Sequence, residues 1–124
     1  AVCLSCGAYY EIKNISLDIL PPRCRCSGVL KPDAVFFGEP IPQKAFMQAV
    51  EATRSCKVML VVGTSAIVYP AADMPAIARQ AGARVIEINP EPTSLTGWVS
   101  DYIILGKAGE ILPALVEELK KMAL

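Results

Sequence analysis

The sequence contains no histidine. Imidazole is the commonest general acid or base near neutral pH, so its absence excludes catalysis built on a histidine dyad or triad within these 124 residues. Charge of a dominant sign is missing too: twelve Lys and Arg residues balance twelve Asp and Glu. No run of basic residues forms a stripe, so attraction to a phosphate backbone or an anionic lipid surface has no source, and neither nucleic acid nor membrane is an expected partner. Aromatic residues make up only 6% of the chain, which leaves few platforms for stacked bases. The longest apolar run, residues 58–62 with their neighbours, is far too short to span a bilayer. No charged-then-apolar leader opens the sequence, and the expected location is cytoplasmic. Internal repeats, low-complexity tracts and the GxGxxG dinucleotide fingerprint are all absent.

What is present is a chain 53% hydrophobic and 19% charged, the balance of a folding sequence, at a length that suits a single core. Residues 1–30 differ in kind from the rest, being rich in cysteine, proline and turn formers, and read as a small cysteine-stapled module. From residue 31 to 124 apolar stretches alternate with helical patterns, which predicts an α/β body of parallel strands and crossover helices. In 43–55, Ala45, Phe46, Ala49, Val50 and Ala52 fall near a helical spacing, with Pro42 at the entry. Residues 57–63 form a continuous apolar run ending in glycine, the pattern of a strand covered on both faces. A second helix is predicted over 70–81, with Pro70 and Pro75 near its start and Gly82 as its stop. Strands are predicted over 84–89 and 101–105. A last helix follows, carrying Ile111, Leu112, Leu115, Val116, Leu119 and Met122 on one side and Pro113 in its early turns.

Four of the five cysteines form two close pairs. Cys3 and Cys6 make a CxxC; Cys24 and Cys26 make a CxC within PPRCRCSG. Two such knuckles at this separation match a four-thiolate zinc ribbon, whose filled coordination sphere supports folding and leaves no position for substrate. A pair of disulfides is disfavoured in a chain without secretory features, and four plain core cysteines are the other alternative. The second knuckle is one residue shorter than the usual CxxC. Cys56 has no partner at ligand spacing and reads as a small buried apolar residue.

In an open parallel sheet, ligands bind beyond the carboxyl ends of the strands. Three polar segments fall at such places: Gly63, Thr64 and Ser65; Asn89, Pro90 and Glu91; and residues 106–109, GKAG. Singly each reads as a turn or a helix cap. In series they point to a nucleotide site.

Taken together, CLSC, CRCSG, VLKPDAVFFGEPIP, VVGTSAIVYPAADMP, IEINPEP and LGKAGEILPALVEEL resemble the sirtuin family, of prokaryotic or archaeal type, in order and spacing from Cys3 onward. The most specific pieces are KPDAVFFGE and GTSAIVYPA. The resemblance implies an NAD-dependent protein-lysine deacylase, with part of a Rossmann-like parallel sheet, helices on both faces, and an inserted zinc ribbon. By motif match, Gly63, Thr64 and Ser65 would contact NAD phosphate and ribose, Asn89, Pro90 and Glu91 the adenosine ribose region, and Ala108 the adenine. Val35, Phe36, Gly38 and Glu39 resemble the family's substrate loop. With Val68 and its neighbours Ile67 and Tyr69, they would pair with an acyl-lysine peptide as an added strand. Phe37 has core packing as its ordinary alternative.

The implied reaction moves the acyl group from lysine to ADP-ribose as nicotinamide leaves, with a histidine base activating a ribose hydroxyl. The family's His-Gly, its glycine-rich loop and its QN-D segment have no counterpart in these residues. The expectation is therefore that this polypeptide alone is inactive, and that the missing half of the domain or self-association covers its sheet. The competing reading is a non-catalytic zinc- and nucleotide-binding module that recognises an acyl-lysine peptide.

Overall fold

The computed structural model describes residues 1–122; Ala123 and Leu124, the end of the expected α/β body, lie outside the described residues. The chain divides into two compact units, Ala1–Ile41 and a second that begins at Pro42. The division falls eleven residues beyond the boundary expected from composition. The reason is local: β2 (Leu30–Lys31) pairs antiparallel with β1 (Val2–Cys3), and Lys31 then gathers the residues that follow it.

The first unit has little regular structure. Beyond the two short strands it holds one 3-10 turn, Ile12–Asn14, and a core of only Cys3, Cys24 and Leu30, packed by Ala1, Ala8, Tyr10 and Ile15. Such a small core supplies little burial, so the unit needs a staple.

The second unit runs α1 (Gln43–Ser55), β3 (Val58–Val62), α2 (Met74–Gln80), β4 (Arg84–Asn89), β5 (Tyr102–Leu105) and α3 (Ala108–Met122). The strands form one parallel sheet in the order β3-β4-β5, with Val58 opposite Arg84, Val62 opposite Ile88, and Asn89 opposite Leu105. Side chains alternate across it. Val61 and Val85 point to the face that packs against Ala78 of α2, and Ala83, Leu95 and Val99 complete that cluster. Ala78 is fully buried, and a larger side chain there would force the helix off the sheet. On the other face Ile88 is fully buried, but Val58 and Leu60 remain 53% and 45% exposed. The expectation that β3 is covered on both faces is therefore corrected: within the described residues it is covered on one. No described helix is long and apolar enough to cross a membrane.

Three further differences have physical causes. In α1 the inward stripe is Phe46, Val50 and Thr53, while Ala45, Ala49 and Ala52 are exposed. Alanine suits a helix on any face, so it does not mark the buried one; Thr53 does, donating its hydroxyl to Met74 Sδ at 3.4 Å. α2 starts at Met74 rather than 70, because Ala71–Asp73 forms a 3-10 turn and Pro75 has no N–H to extend a helical ladder backward. Its stop is as expected: Gly82 N–H donates to Arg79 O and Ala83 N–H to Ala78 O, both at 3.0 Å, closing a Schellman turn. Along α3, Ile111, Leu112 and Leu115 are half-buried, whereas Val116, Leu119 and Met122 stay exposed.

Asp101 ties the start of β5 to its neighbours. Its Oδ2 accepts the Val85 N–H at 2.8 Å, its Oδ1 accepts from Arg84 at 3.2 Å, and Arg79 lies 3.8 Å away. The Val85 amide first, and then the two arginines, hold the carboxyl below its usual range despite partial burial. A depressed carboxyl stabilises the fold above its unfolded value of about 4, and that contribution fades as pH falls through the folded value. Asp101→Asn should therefore destabilise the fold at pH 7. The gap between variant and wild type in urea unfolding should narrow toward pH 3; a gap equal at both values would show that Asp101 is not held as a carboxylate.

Candidate functional site

In the first unit the fold brings together the sulfurs of Cys3, Cys6, Cys24 and Cys26, all within 4.8 Å of one another. Sγ–Sγ distances are 3.5 Å for Cys3 and Cys26, 3.6 Å for Cys6 and Cys24, and 3.4 Å for Cys6 and Cys26. None approaches a disulfide bond. A tetrahedral zinc with bonds of about 2.3 Å sets its sulfurs about 3.8 Å apart, so the four fit the ion closely. Gly28 allows the two knuckles to meet, since a Cβ there would stand 2.5 Å from Ser5 Oγ and 2.8 Å from Cys3 Sγ.

Electrostatics point the same way. The backbone N–H of Cys26, followed by the Tyr10 hydroxyl, brings the Cys24 thiol down to about 6. Cys26 is helped by a backbone N–H from Gly28, yet the sulfurs of Cys24, Cys6 and Cys3 push it up to about 12. Four thiolates this close repel unless a cation lies between them, and a divalent ion bound to sulfur supplies that charge.

In the second unit the parallel register carries the three strand ends to one edge of the sheet. Gly63 N–H donates to Ile88 O, and Gly106 N–H donates to Asn89 O, each at 3.0 Å. Gly63, Thr64 and Ser65 thus leave β3 beside the point where Asn89, Pro90 and Glu91 leave β4. Gly106 leaves β5 next to them, two residues before Ala108 opens α3. Gly63 has φ +60°, a left-handed conformation that favours glycine, and no atom stands within 4 Å of where a Cβ would lie. Thr64 Oγ1 accepts the Ala66 N–H at 3.1 Å, and Asn89 Nδ2 donates to Glu91 O at 3.0 Å, so both loops are internally ordered. All but Asn89, Gly106 and Ala108, which are half-buried, are exposed. The edge offers glycine, hydroxyls, a carboxamide, a carboxylate and a helix N-terminus, the donor set that suits phosphate and ribose oxygens.

Sequence reasoning missed what supports this edge. Glu87, two residues before Asn89, is fully buried. Its carboxylate accepts hydroxyl hydrogens from Thr93 and, at 2.8 Å, from Thr96. Those hydroxyls in turn accept the N–H groups of Leu95 at 3.1 Å and Thr93 at 2.9 Å. Burial pushes the carboxyl up, but the threonine hydroxyls outweigh it and leave it below its usual range. The available signal was a lone acid between apolar residues, Ile86 and Ile88, inside a strand.

The segment 35–39, in the first unit, is exposed throughout, with Phe36 half and Phe37 93% accessible, so core packing of Phe37 is not observed. Glu39 holds the loop's shape. It pairs with Lys31 and accepts the Phe36 N–H at 3.1 Å, and the Lys31 ammonium also donates to Ala34 O at 3.0 Å and lies 5.0 Å from the Phe36 ring centroid. Lys31, then the Phe36 amide, holds the Glu39 carboxyl below its ordinary value. In the second unit Ile67, Val68 and Tyr69 are likewise exposed.

The Sir2 family model matches residues 1–70 of the chain. NAD-dependent protein deacylase 2 of Pyrobaculum aerophilum is 53% identical over 122 residues, covering 98% of this chain and 48% of the relative. A solved Sir2 homolog–NAD complex is 40% identical with a TM-score of 0.85, covering 98% of this chain and 47% of that one. Sir2Tm bound to a propionylated peptide is 27% identical with a TM-score of 0.83, covering 94% and 51%. The chain spans about half the length of the proteins it matches.

The purified protein should carry one equivalent of zinc by atomic absorption. Cys6→Ser should lower zinc affinity more than about 100-fold, and chelation should open residues 1–41 to protease. Protease resistance that survives complete metal removal would show that the ion does not hold this unit.

Proposed function

Since the chain belongs to the Sir2 family, we propose that these residues serve an NAD-dependent protein-lysine deacylase, contributing a structural zinc module and the adenosine side of the NAD site. The observation that carries this reading is the alignment of three polar strand ends, two of them opened by glycine, at one sheet edge. It is joined to 53% identity with a relative named as such a deacylase.

When bound, NAD supplies an ADP-ribosyl group whose nicotinamide is the leaving group. The residues present bind and orient. Gly63 allows close approach, Thr64 and Ser65 face phosphate and ribose oxygens through backbone N–H groups and hydroxyls, Asn89 and Glu91 hold ribose hydroxyls with Pro90 fixing the turn between them, and Ala108 lies against the adenine. Exposed main chain at Val35, Phe36, Gly38 and Glu39 in the first unit, and separately at Val68 in the second, suits an acyl-lysine peptide that adds as a strand and takes affinity from main-chain hydrogen bonds. The Sir2Tm complex with a propionylated peptide supports that substrate class. The four cysteines hold zinc and stay outside the chemistry.

The proton acceptor of the reaction is not among these residues, which include no histidine. That observation favours a second reading for the isolated polypeptide, a module that binds nucleotide or peptide without turnover. The exposed face of β3 at Val58 and Leu60 supports association, with a complementary half-domain or with a second copy. The compartment we propose is the cytoplasm.

Isothermal titration of the zinc-loaded polypeptide with NAD, beside a deacetylation assay on an acetyl-lysine peptide, separates these readings. No turnover alone, and turnover after mixing with a histidine-bearing Sir2 half-domain, is the expected result. NAD affinity without turnover in any mixture would support the binding module, and turnover by the isolated polypeptide would overturn the requirement for histidine.

A further inference from the structure

The two cysteine knuckles are not equivalent, and the difference points to a residue outside both. In the first, the Ser5 N–H approaches Cys3 Sγ at 3.4 Å and the turn closes four residues on, with Gly7 N–H donating to Cys3 O at 3.0 Å. In the second, the Cys26 N–H approaches Cys24 Sγ at 3.5 Å, but the turn closes after three residues, with Ser27 N–H donating to Cys24 O at 2.8 Å. The shorter turn is tight enough to place Ser27 at φ +67°, an uncommon conformation for a residue with a side chain.

Tyr10 lies against this shorter turn. Its hydroxyl oxygen is 3.4 Å from the Arg25 N–H, which can only donate, so the oxygen accepts there. The hydroxyl hydrogen is left for Cys24 Sγ at 3.1 Å, the shortest hydrogen-bond contact to the four sulfurs among the described residues. The backbone behind the ring is tied down, with Tyr10 N–H donating to Ala1 O at 2.8 Å. The ring also packs in the small core with Cys3, Cys24 and Leu30.

We infer that Tyr10 is a positioning residue of the zinc site, whose hydroxyl completes the shortened Cys24–Cys26 knuckle by donating to the Cys24 thiolate while accepting the Arg25 amide. A hydrogen bond to a ligating sulfur draws off part of its charge and fixes its direction, and such outer partners are typically worth about 10–100-fold in metal affinity. The inference concerns the metal alone and holds whether or not the nucleotide reading is correct.

Tyr10→Phe keeps the ring and removes only the hydroxyl. In the full chain it should retain the absorption spectrum of a four-thiolate site on cobalt substitution. It should also lose about tenfold in zinc affinity in chelator competition and release zinc faster. Tyr9→Phe, at an exposed ring with no contact to the cluster, serves as control and should change neither. A glycine inserted between Arg25 and Cys26 restores a CxxC spacing and should return most of the lost affinity to the Tyr10→Phe protein. Unchanged affinity in Tyr10→Phe overturns the inference. If that variant fails to fold, recovery on inserting the glycine supports the inference and failure to recover overturns it.

Discussion

Parallel pairing of three strands is the constraint on which the second unit depends. Parallel strands share one direction, so each ends on the same side of the sheet and each must be followed by a loop there. The ladder extends one residue past β3 and β5, through the amides of Gly63 and Gly106. Three segments far apart in sequence are thereby fixed side by side. α2 presses on the face bearing Val61 and Val85, and Asp101 pins the entry of β5 to β4.

The first unit rests on a different kind of interaction. Its apolar core is too small to order forty residues, and two of its three core side chains are cysteines whose partners at the surface are also cysteines. Coordination replaces burial as the source of order there. The 35–39 loop uses yet another means, a single lysine shared among a carbonyl, a carboxylate and an aromatic face. The two units thus illustrate three ways of fixing a loop: extension of a sheet ladder, metal ligation, and a local cation hub.

Much of this was legible in the sequence, for reasons that differ from element to element. The 43–55 and 84–89 segments were read with their observed bounds, because Pro42 precedes the first and the polar Arg84 and Asn89 bracket the branched apolar residues of the second. The cysteine cluster was legible because ligand spacing is a geometric requirement rather than a propensity. The buried face of α1 was not, since alanines fit either side and the deciding residue was a threonine. The coverage of β3 was misjudged because an unbroken apolar run reports what a strand could bury and says nothing of what lies against it. Glu87 and Tyr10 were invisible for a shared reason: each acts through partners at unrelated positions, and hydrogen bonds between distant side chains leave no periodic trace. The strand-end segments were read as turns that only their number made informative; the fold supplies the missing fact, that they are adjacent.

Glu87 has a consequence for how β4 finds its place. Val85, Ile86 and Ile88 put apolar side chains on both faces of that strand, so hydrophobicity alone does not single out one alignment against β3. A one-residue slip, however, turns Glu87 to the opposite face, away from the hydroxyls of Thr93 and Thr96, and strands a carboxylate among apolar neighbours. The single charged side chain inside the sheet thus acts as a key that admits one alignment. The strand ends that depend on that alignment inherit their positions from an acid that never reaches the surface.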